Sequence, residues 1–168
     1  MEPGSKILFA CFMIKKIFLG LALLFVAIQF VRPVKNLSPA PGPNDITARI
    51  TVPAEVQQVL VKACYDCHSD HTRYPWYAEV QPVGWWLASH IHDGKQHLNF
   101  SQFGAYNEKT ADRKLRQITR NVDNGGMPLN SYTWIHRDAI LTEAEIKLID
   151  GWVDAARAQN APKPLAKY

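Results

Sequence analysis

The sequence predicts an all-α domain that follows an apolar N-terminal segment. Several stretches carry apolar residues at helical spacing, and the alternating pattern typical of half-buried strands is weak throughout. About 115 residues follow the N-terminal part, which is enough chain for one modest hydrophobic core. We therefore expect a signal anchor or transmembrane segment in residues 1–34, a proline-rich linker in residues 35–52 and one globular domain in residues 53–168.

The N-terminal segment has the layout of a secretory signal. Lys15 and Lys16 precede an apolar run of 15 residues, 17–31. A free-standing span usually needs about 20 residues, yet no clear cleavage site follows, because Pro41 interrupts the small residues of LSPAP. We expect an uncleaved signal anchor, with a cleaved secretory signal and a buried core helix as the alternatives.

Charge and proline content separate the N-terminal part from the rest. The residues before Pro53 carry six basic and two acidic side chains, whereas the rest carries 13 of each sign. The neutral body lacks the basic surface of a nucleic-acid-binding protein, so nucleic acid is not an expected partner. The prolines of the linker favour an extended chain of about 3.1 Å per residue, which predicts a spacer. They are Pro39, Pro41 and Pro43, with Pro33 just before them.

Four helices are predicted in the domain. The first begins at Pro53 and leads into Cys64, and the second covers about residues 80–92 and stops at Gly94. The third covers about residues 109–123, and the fourth follows a capping box formed by Thr142 and Glu145. The expected buried positions are Val56, Val59, Leu60 and Ala63; Val83, Trp86, Leu87, His90 and Ile91; Leu115, Ile118 and Val122; and Ile146, Ile149, Trp152, Val153 and Ala156.

The stretch CYDCH is the strongest chemical signal in the chain. Cys64, Cys67 and His68 form C-x-x-C-H, the attachment signature of c-type haem. Two thiols at this spacing can add to the two vinyl groups of one porphyrin, and the adjacent histidine is then placed as the proximal iron ligand. The pattern predicts one covalently attached haem c. An export signal agrees with this prediction, because c-type haem is normally attached after export.

Three other interpretations of the same cysteines stay open. A zinc site would use Cys64, Cys67, His68 and His71, although adjacent residues are poor joint ligands of one tetrahedral ion. A thioredoxin-like redox dithiol would need a surrounding βαβ pattern, which is weak here. A structural disulfide within a chance C-x-x-C-H is the third.

The second axial position of the iron has two candidate ligands. Met127 follows a glycine pair on a loop before the last helix, and methionine opposite histidine raises the reduction potential. His90 lies on the apolar face of the second helix and is the alternative distal ligand. An open distal site is the third possibility. The remaining histidines, His71, His92, His97 and His136, are expected at the surface or in hydrogen bonds.

Two long stretches resemble the bacterial haem-binding domain family of small c-type cytochromes. They are CYDCHSDHTRYPWYAEVQPVGWWLASHIHDGKQHLNFSQF and GGMPLNSYTWIHRDAILTEAEIKLIDGWV, with YPWY and LNFS adding to the C-x-x-C-H. The resemblance implies a small cytochrome c-like helical domain around a covalent haem, bound by Cys64 and Cys67 with His68 on the iron. It is similar in outline to class I cytochromes c, in which a methionine before the last helix is the sixth ligand, and Met127 matches that position. The segment SHIHDGKQHLNFS has no counterpart in a minimal class I cytochrome.

Two further groups of side chains are candidates for the haem surroundings. In LNFS, Leu98 and Phe100 are expected to wall the haem, and Asn99 and Ser101 to bond the backbone or a propionate; a turn with two core residues is the alternative. Basic residues at helical spacing are candidates for pairing with propionates or with an acidic partner, with a solvated helix face as the alternative; they are Arg113, Arg116 and Arg120.

The expected function is electron transfer by a mono-haem c-type cytochrome. A His/Met-ligated haem would carry electrons between periplasmic or membrane redox partner proteins, without catalysing a reaction. The expected location is the inner membrane, by a single pass with the haem domain in the periplasm, or the periplasm itself after signal cleavage. The alternative functions are a peroxidase-like haem enzyme or gas sensor with an open distal site, and a zinc-binding structural module.

Overall fold

The computed structural model describes residues 3–38 and 41–160, with side chains described from residue 11 onward. Met1, Pro39 and Ala40 of the LSPAP stretch, and the predicted end of the domain after residue 160, lie outside the described residues. Within the described ranges the chain is helical and contains no β-strand beyond an isolated bridge between Leu37 and His71, which confirms the predicted fold class. The α-helices are α1 (Pro3–Ile28), α2 (Ile46–Arg49), α3 (Ala54–Ala63), α4 (Tyr65–His68), α5 (Val83–His97), α6 (Glu108–Asp123), α7 (Asn130–Thr133) and α8 (Glu143–Asn160). Short 3₁₀ helices cover Trp76–Glu79, Phe100–Ala105 and Arg137–Ala139.

The chain divides into two compact units that are discontinuous in sequence. The first contains the chain up to Val34 together with Tyr74–Ser89. The second contains Lys35–Arg73 and the chain from His90 onward. Helix α5 begins in the first unit and ends in the second.

The first unit is built on the apolar helix α1. Its segment Cys11–Ile28 is long and apolar enough to cross a membrane, and none of it is buried in the protein. A helix of this kind near the N-terminus is compatible with a membrane anchor or with a signal sequence. The predicted apolar run ended at Val31, whereas the helix ends at Ile28, and the following residues pair with the Tyr74–Ser89 segment.

The core of the second unit lies where α3, α6 and α8 pack around the first turn of Phe100–Ala105. Phe100 and Phe103 are almost completely buried, and burying a side chain of this size stabilises the fold by about 1.5–3 kcal/mol. Trp152 of α8 is buried as predicted, and its indole N–H donates to the Thr51 carbonyl at 3.1 Å. The core comprises Ile46, Ile50, Val56, Val59, Leu60, Phe100, Phe103, Ala111, Leu115, Ile118, Val122, Ile149, Trp152, Val153 and Ala156.

The predicted C-terminal end of α6 and the predicted start of α8 are confirmed by their capping contacts. Asn107 caps α6 by accepting a hydrogen bond from the Thr110 N–H at 2.8 Å. Beyond the other end of α6, Gly125 has a φ of 69°, a left-handed conformation that glycine adopts at no steric cost. The Thr142 N–H donates to the Glu145 carboxylate at 2.9 Å, and the Glu145 N–H donates back to the threonine hydroxyl at 3.3 Å. This reciprocal pair is the capping box that the sequence predicted.

The predicted linker differs from the structure between residues 44 and 50. Ile46 and Ile50 are buried in the core instead of lying in an extended spacer. Asp45 caps α2 by accepting from the Thr47 N–H at 3.0 Å, and Arg49 donates to the Asn160 amide oxygen at 2.5 Å. Two isoleucines four residues apart lie on one face of a helical turn, and their burial outweighs the extended tendency of the neighbouring prolines.

Residues before this stretch also pair with the packed domain. The Ser38 N–H donates to the Asp70 carbonyl at 2.8 Å, and the Thr72 N–H donates to the Asn36 carbonyl at 2.9 Å. These residues were also assigned to the linker. The packed unit therefore begins before the predicted start at residue 53.

Helix α5 begins and ends later than predicted, and two of the residues expected to be buried near its start are exposed. Leu87 and Ile91 are buried as expected, but Val83 and Trp86 are exposed. Gly94, predicted as a stop, lies inside the helix. Gly94 instead lies against the backbone of Cys67.

Candidate functional site

The C-x-x-C-H residues lie on a single helical turn. Helix α3 ends at Ala63, and the turn α4 begins directly after Cys64. The Cys67 and His68 N–H groups both donate to the Cys64 carbonyl, at 3.2 and 3.0 Å. Residues three and four apart on such a turn share one face, so the two thiols and the imidazole are brought to the same side.

A cavity of about 460 Å³ opens beside this turn, entirely within the second unit. This volume is in the range of cofactor sites, which are typically concave and largely apolar. The cavity brings together all five side chains that the sequence singled out for the site. It is lined by Ala63, Cys64, Asp66, Cys67 and His68; by His90, Asp93, Gly94, His97, Leu98 and Phe100; by Lys114, Gln117, Ile118, Asn121 and Val122; and by Met127, Pro128, Leu129 and Tyr132.

The imidazole of His68 is held in one orientation by its neighbours. Its Nδ1–H donates to the Leu98 carbonyl at 3.0 Å, and the ring lies edge-on to Phe100. Burial is the main cause of a lowered pKa of His68, so the imidazole is neutral near pH 7. A neutral ring with its proton on Nδ1 leaves the Nε2 lone pair for a metal, and second-sphere bonds of this kind fix metal-binding histidines.

Both cysteines of the turn are free thiols in the structure. Burial raises the pKa of Cys64 to about 12 and that of Cys67 to about 11, with charge effects from Cys67 and Asp66 adding to the respective shifts. A reactive redox dithiol needs a lowered pKa, so this environment does not favour that alternative.

The zinc alternative finds no support in the described part of the chain. There, no three histidine, cysteine, aspartate or glutamate side chains are placed to hold one metal ion. His71, the proposed fourth zinc ligand, donates from Nδ1 to the Ser38 carbonyl at 2.8 Å.

Gly94 allows α5 to lie directly against the C-x-x-C-H turn. A Cβ atom at this position would lie 2.7 Å from the carbonyl oxygen of Cys67 and 3.2 Å from its Cβ. Ordinary contacts of a Cβ begin at about 3.4 Å, so a side chain here would push the helix and the turn apart. Close approach of two backbones therefore explains a glycine that the sequence alone suggested as a helix end.

A tight turn presents Met127 to the cavity. Its N–H donates to the Asn121 carbonyl at 2.9 Å, and the Gly126 N–H donates to the Asn124 side chain at 2.9 Å. These bonds fix the loop to the end of α6. His90 of α5 lines the same cavity, so both predicted distal candidates border the site.

An ionic network around the buried Asp66 carboxylate, which the sequence analysis missed, ties this loop to the C-x-x-C-H turn. Asp66, between the two cysteines, accepts hydrogen bonds from the Arg73 guanidinium at 3.0 and 3.1 Å and from the Tyr132 hydroxyl at 2.7 Å. Burial, followed by the bond to Asp66, raises the pKa of Tyr132 above its usual value. Tyr132 also stacks on His136, with ring centroids 4.2 Å apart. Asp66 and Tyr132 are 66 residues apart, so no local pattern could have revealed the pair.

The LNFS stretch has the two faces that the sequence predicted. Leu98 and Phe100 line the cavity. Asn99 donates to the Asp70 carboxylate at 2.8 Å, and the Ser101 hydroxyl accepts from the Asp70 N–H at 3.0 Å. The polar side chains thus secure the segment that follows the C-x-x-C-H.

The face of α6 that reaches the cavity is not the one that the sequence suggested. The described residues that line it do not include Arg113, Arg116 or Arg120, and Arg116 pairs with Asp112 of its own helix. The cavity is bordered instead by the polar residues Lys114, Gln117 and Asn121, at spacings of three and four. Burial, with a smaller effect of Arg113, lowers the pKa of Lys114. Among the remaining histidines, His92 is exposed, and His97 borders the cavity.

These features fit a haem. Two thiols and one oriented, neutral imidazole share one face of a turn, a glycine leaves the neighbouring helix against that turn, and an apolar cavity lies beside it. The haem-binding domain family matches residues 23–155, which is most of the chain. No curated protein and no solved structure matches the chain. The chain belongs to the haem-binding domain family and is a haem protein.

Proposed function

We propose that the protein is a mono-haem c-type cytochrome that carries electrons. The observation that carries this proposal is the single cavity bordered by Cys64, Cys67, His68 and Met127. Cys64 and Cys67 would hold one haem c through thioether bonds, and His68 would bind the iron. The haem supplies an iron that changes oxidation state by one electron. The protein would hold it, orient its histidine ligand and limit the access of water.

Met127 is the proposed distal ligand. The other two methionines, Met1 and Met13, lie in the N-terminal arm, so Met127 alone represents its type in the haem domain. The turn after α6 and the Tyr132–Asp66 bond hold the loop on both sides of this residue. A ligand held in this way would stay on the iron in both oxidation states, as a carrier requires. Replacing Met127 by leucine should open the distal position, and His90 is the side chain that would then compete for it.

A haem enzyme or gas sensor is the second candidate. The observation in its favour is the set of polar side chains that border the cavity from α6, Lys114, Gln117 and Asn121. Such groups can bond an oxygen ligand if the distal position is open. The same groups can equally meet the propionates of a six-coordinate haem. Binding of carbon monoxide separates the two functions, because a tightly held sixth ligand excludes it.

The proposed location is the inner membrane, with α1 as a single-pass anchor and the haem domain in the periplasm. The apolar surface of Cys11–Ile28, none of which is buried in the protein, supports an anchor. The partners would be periplasmic or membrane redox proteins. Cleavage of the signal would instead leave a soluble periplasmic carrier.

Covalent attachment is tested with the full chain, co-expressed with cytochrome c maturation proteins. The intact mass after denaturation should exceed the polypeptide mass by one haem. Cys64→Ser with Cys67→Ser should lose this mass, whereas Cys11→Ser, a control at the third cysteine, should keep it. A chain that releases its haem on denaturation, or that binds none, would contradict the proposed attachment.

A further inference from the structure

The end of the membrane-anchor helix is clasped by a segment from the middle of the chain. Gln29 and Gln81 form a reciprocal pair: the Gln29 side chain donates to the Gln81 carbonyl at 3.0 Å, and the Gln81 N–H donates back to the Gln29 side chain at 2.9 Å. The Trp85 indole donates to the Val31 carbonyl at 2.7 Å. All these groups belong to the first unit. The segment after α1 is therefore bound through the Gln29 side chain and the Val31 carbonyl.

The two segments joined by this clasp carry exposed apolar and aromatic side chains. Trp76 is 79% exposed and Val34 is 96% exposed. Exposed apolar side chains of this kind, when they form a large patch, mark a surface that binds a partner or a membrane. Tryptophan is enriched where hydrocarbon meets headgroups, because its ring is apolar and its N–H is polar. We call this surface the aromatic collar; it consists of Phe30, Val31, Val34, Trp76, Trp85 and Trp86.

The length of the span places the collar at the membrane boundary. Ile17–Ile28 is the helical part after the lysine pair, and its 12 residues at 1.5 Å each give about 18 Å, against a hydrocarbon core of about 30 Å. Residues 29–31 continue in 3₁₀-type turns, which add about 6 Å at about 2.0 Å per residue, and roughly two extended residues at about 3.3 Å each cover the rest. The boundary then falls near Arg32, which pairs with Glu79 of the clasping segment.

The clasp also answers a problem that this position creates. The N–H groups of residues 29–31 bond carbonyls of the last turn of α1, but the carbonyls beyond that turn need other partners, because lipid offers no hydrogen bonds. The Trp85 indole supplies such a partner for the Val31 carbonyl, and the Gln81 backbone bonds the Gln29 side chain beside it. A segment that served only an aqueous surface would not need to bring three tryptophans to this point.

We propose that the aromatic collar lies in the headgroup region of the membrane that α1 spans, with the lipid interface as its partner. The segment Trp76–Trp86 then acts as a second, interfacial attachment beside the anchor. This inference rests on the membrane anchor of the proposed function and is independent of how the haem is bound.

The test uses an environment-sensitive fluorophore on the full chain in nanodiscs. Val80 is part of the clasping segment and is 36% exposed, so Val80→Cys accepts a label while every tryptophan is kept. Ile140→Cys is the matched control, an exposed aliphatic position in the second unit, and Leu21→Cys reports the span itself. Cys11→Ser is present in all three, and lipids with a nitroxide headgroup serve as the quencher.

The collar predicts that the label at position 80 emits at shorter wavelength than the label at 140. It should also lose at least half of its emission to the nitroxide headgroups, while the label at 140 keeps its emission. Trp76→Ala should weaken the quenching at position 80. The control Trp134→Ala, which replaces a similarly exposed tryptophan of the second unit, should not.

Two results would overturn the proposal, and they differ in what else they affect. If the label at 80 behaves like the label at 140 while the label at 21 reports hydrocarbon, the collar is wrong and the anchor stands. If the label at 21 reports water, the anchor of the proposed function fails together with the collar. The mass of the attached haem is unaffected by either result and tests the haem separately.

Discussion

Replacing Gly94 by alanine tests whether α5 must touch the C-x-x-C-H turn. In an ordinary helix interior this substitution stabilises the fold, because alanine is better than glycine by about 1 kcal/mol. Gly151 of α8 is such an ordinary position, since a Cβ there meets nothing within 4 Å. Gly151→Ala is therefore the matched control, and we expect it to raise the free energy of unfolding by about 0.5–1 kcal/mol.

At Gly94 the same methyl group meets backbone. Its Cβ would lie 2.7 Å from the Cys67 carbonyl oxygen, so helix and turn must separate by more than half an ångström to reach ordinary contact. Overpacking of this kind costs about 1–3 kcal/mol, which cancels or exceeds the helix gain. The two alanine variants should therefore differ by about 1–3 kcal/mol, with Gly94→Ala the less stable.

The assay is urea unfolding of the full chain with haem attached, followed through the haem absorption. Gly94→Ala should also change the visible spectrum of the reduced protein, because the displaced turn carries Cys67 and His68. Gly151→Ala should leave that spectrum unchanged. If Gly94→Ala and Gly151→Ala stabilise the fold equally and both keep the wild-type spectrum, the close approach of α5 to the C-x-x-C-H turn is refuted.

Two other predictions concern the contacts that support the site and the last helix. Tyr132→Phe removes a hydrogen bond to the buried carboxylate of Asp66 and should lower the free energy of unfolding by about 1.5–3 kcal/mol. The control Tyr65→Phe loses a bond of 3.3 Å to a neutral side chain and should lower it by about 0.5 kcal/mol in the same urea titration. Equal effects of the two substitutions would contradict the ionic network. For Glu145, partial burial favours a higher pKa, but bonds from Lys62 and Thr142 outweigh it and lower the pKa below 4.5. The carboxylate then stabilises the fold above pH 4.5 and loses this effect as the pH falls through its lowered pKa, so the wild type should lose more stability on acidification than Glu145→Gln; parallel pH curves would contradict this.

Local patterns were enough to predict the parts of the fold that are local. The buried face of α6 and the capping box of α8 depend on residues three and four apart, and the chain shows both directly. The C-x-x-C-H motif was visible for the same reason, since its residues are contiguous in the sequence, and its role in attaching haem stays a prediction.

The misplaced parts depend on contacts between distant segments. Ile46 and Ile50 stand among prolines, and only the core that receives them distinguishes a packed turn from a spacer. Gly94 resembles a helix stop until the Cys67 backbone is placed beside it. The bond between Asp66 and Tyr132 joins residues 66 apart, so it follows from the fold and not from any motif.

The most direct test of the proposed electron carrier is the absorption spectrum of the reduced full chain with and without carbon monoxide. The protein is produced with cytochrome c maturation proteins and measured in detergent, with Met127→Leu as the variant that frees the distal position. We expect a haem spectrum that carbon monoxide leaves unchanged in the wild type and shifts in Met127→Leu. A prompt shift in the wild type would contradict the electron carrier and favour an enzyme or sensor, and a colourless protein would contradict the haem site itself.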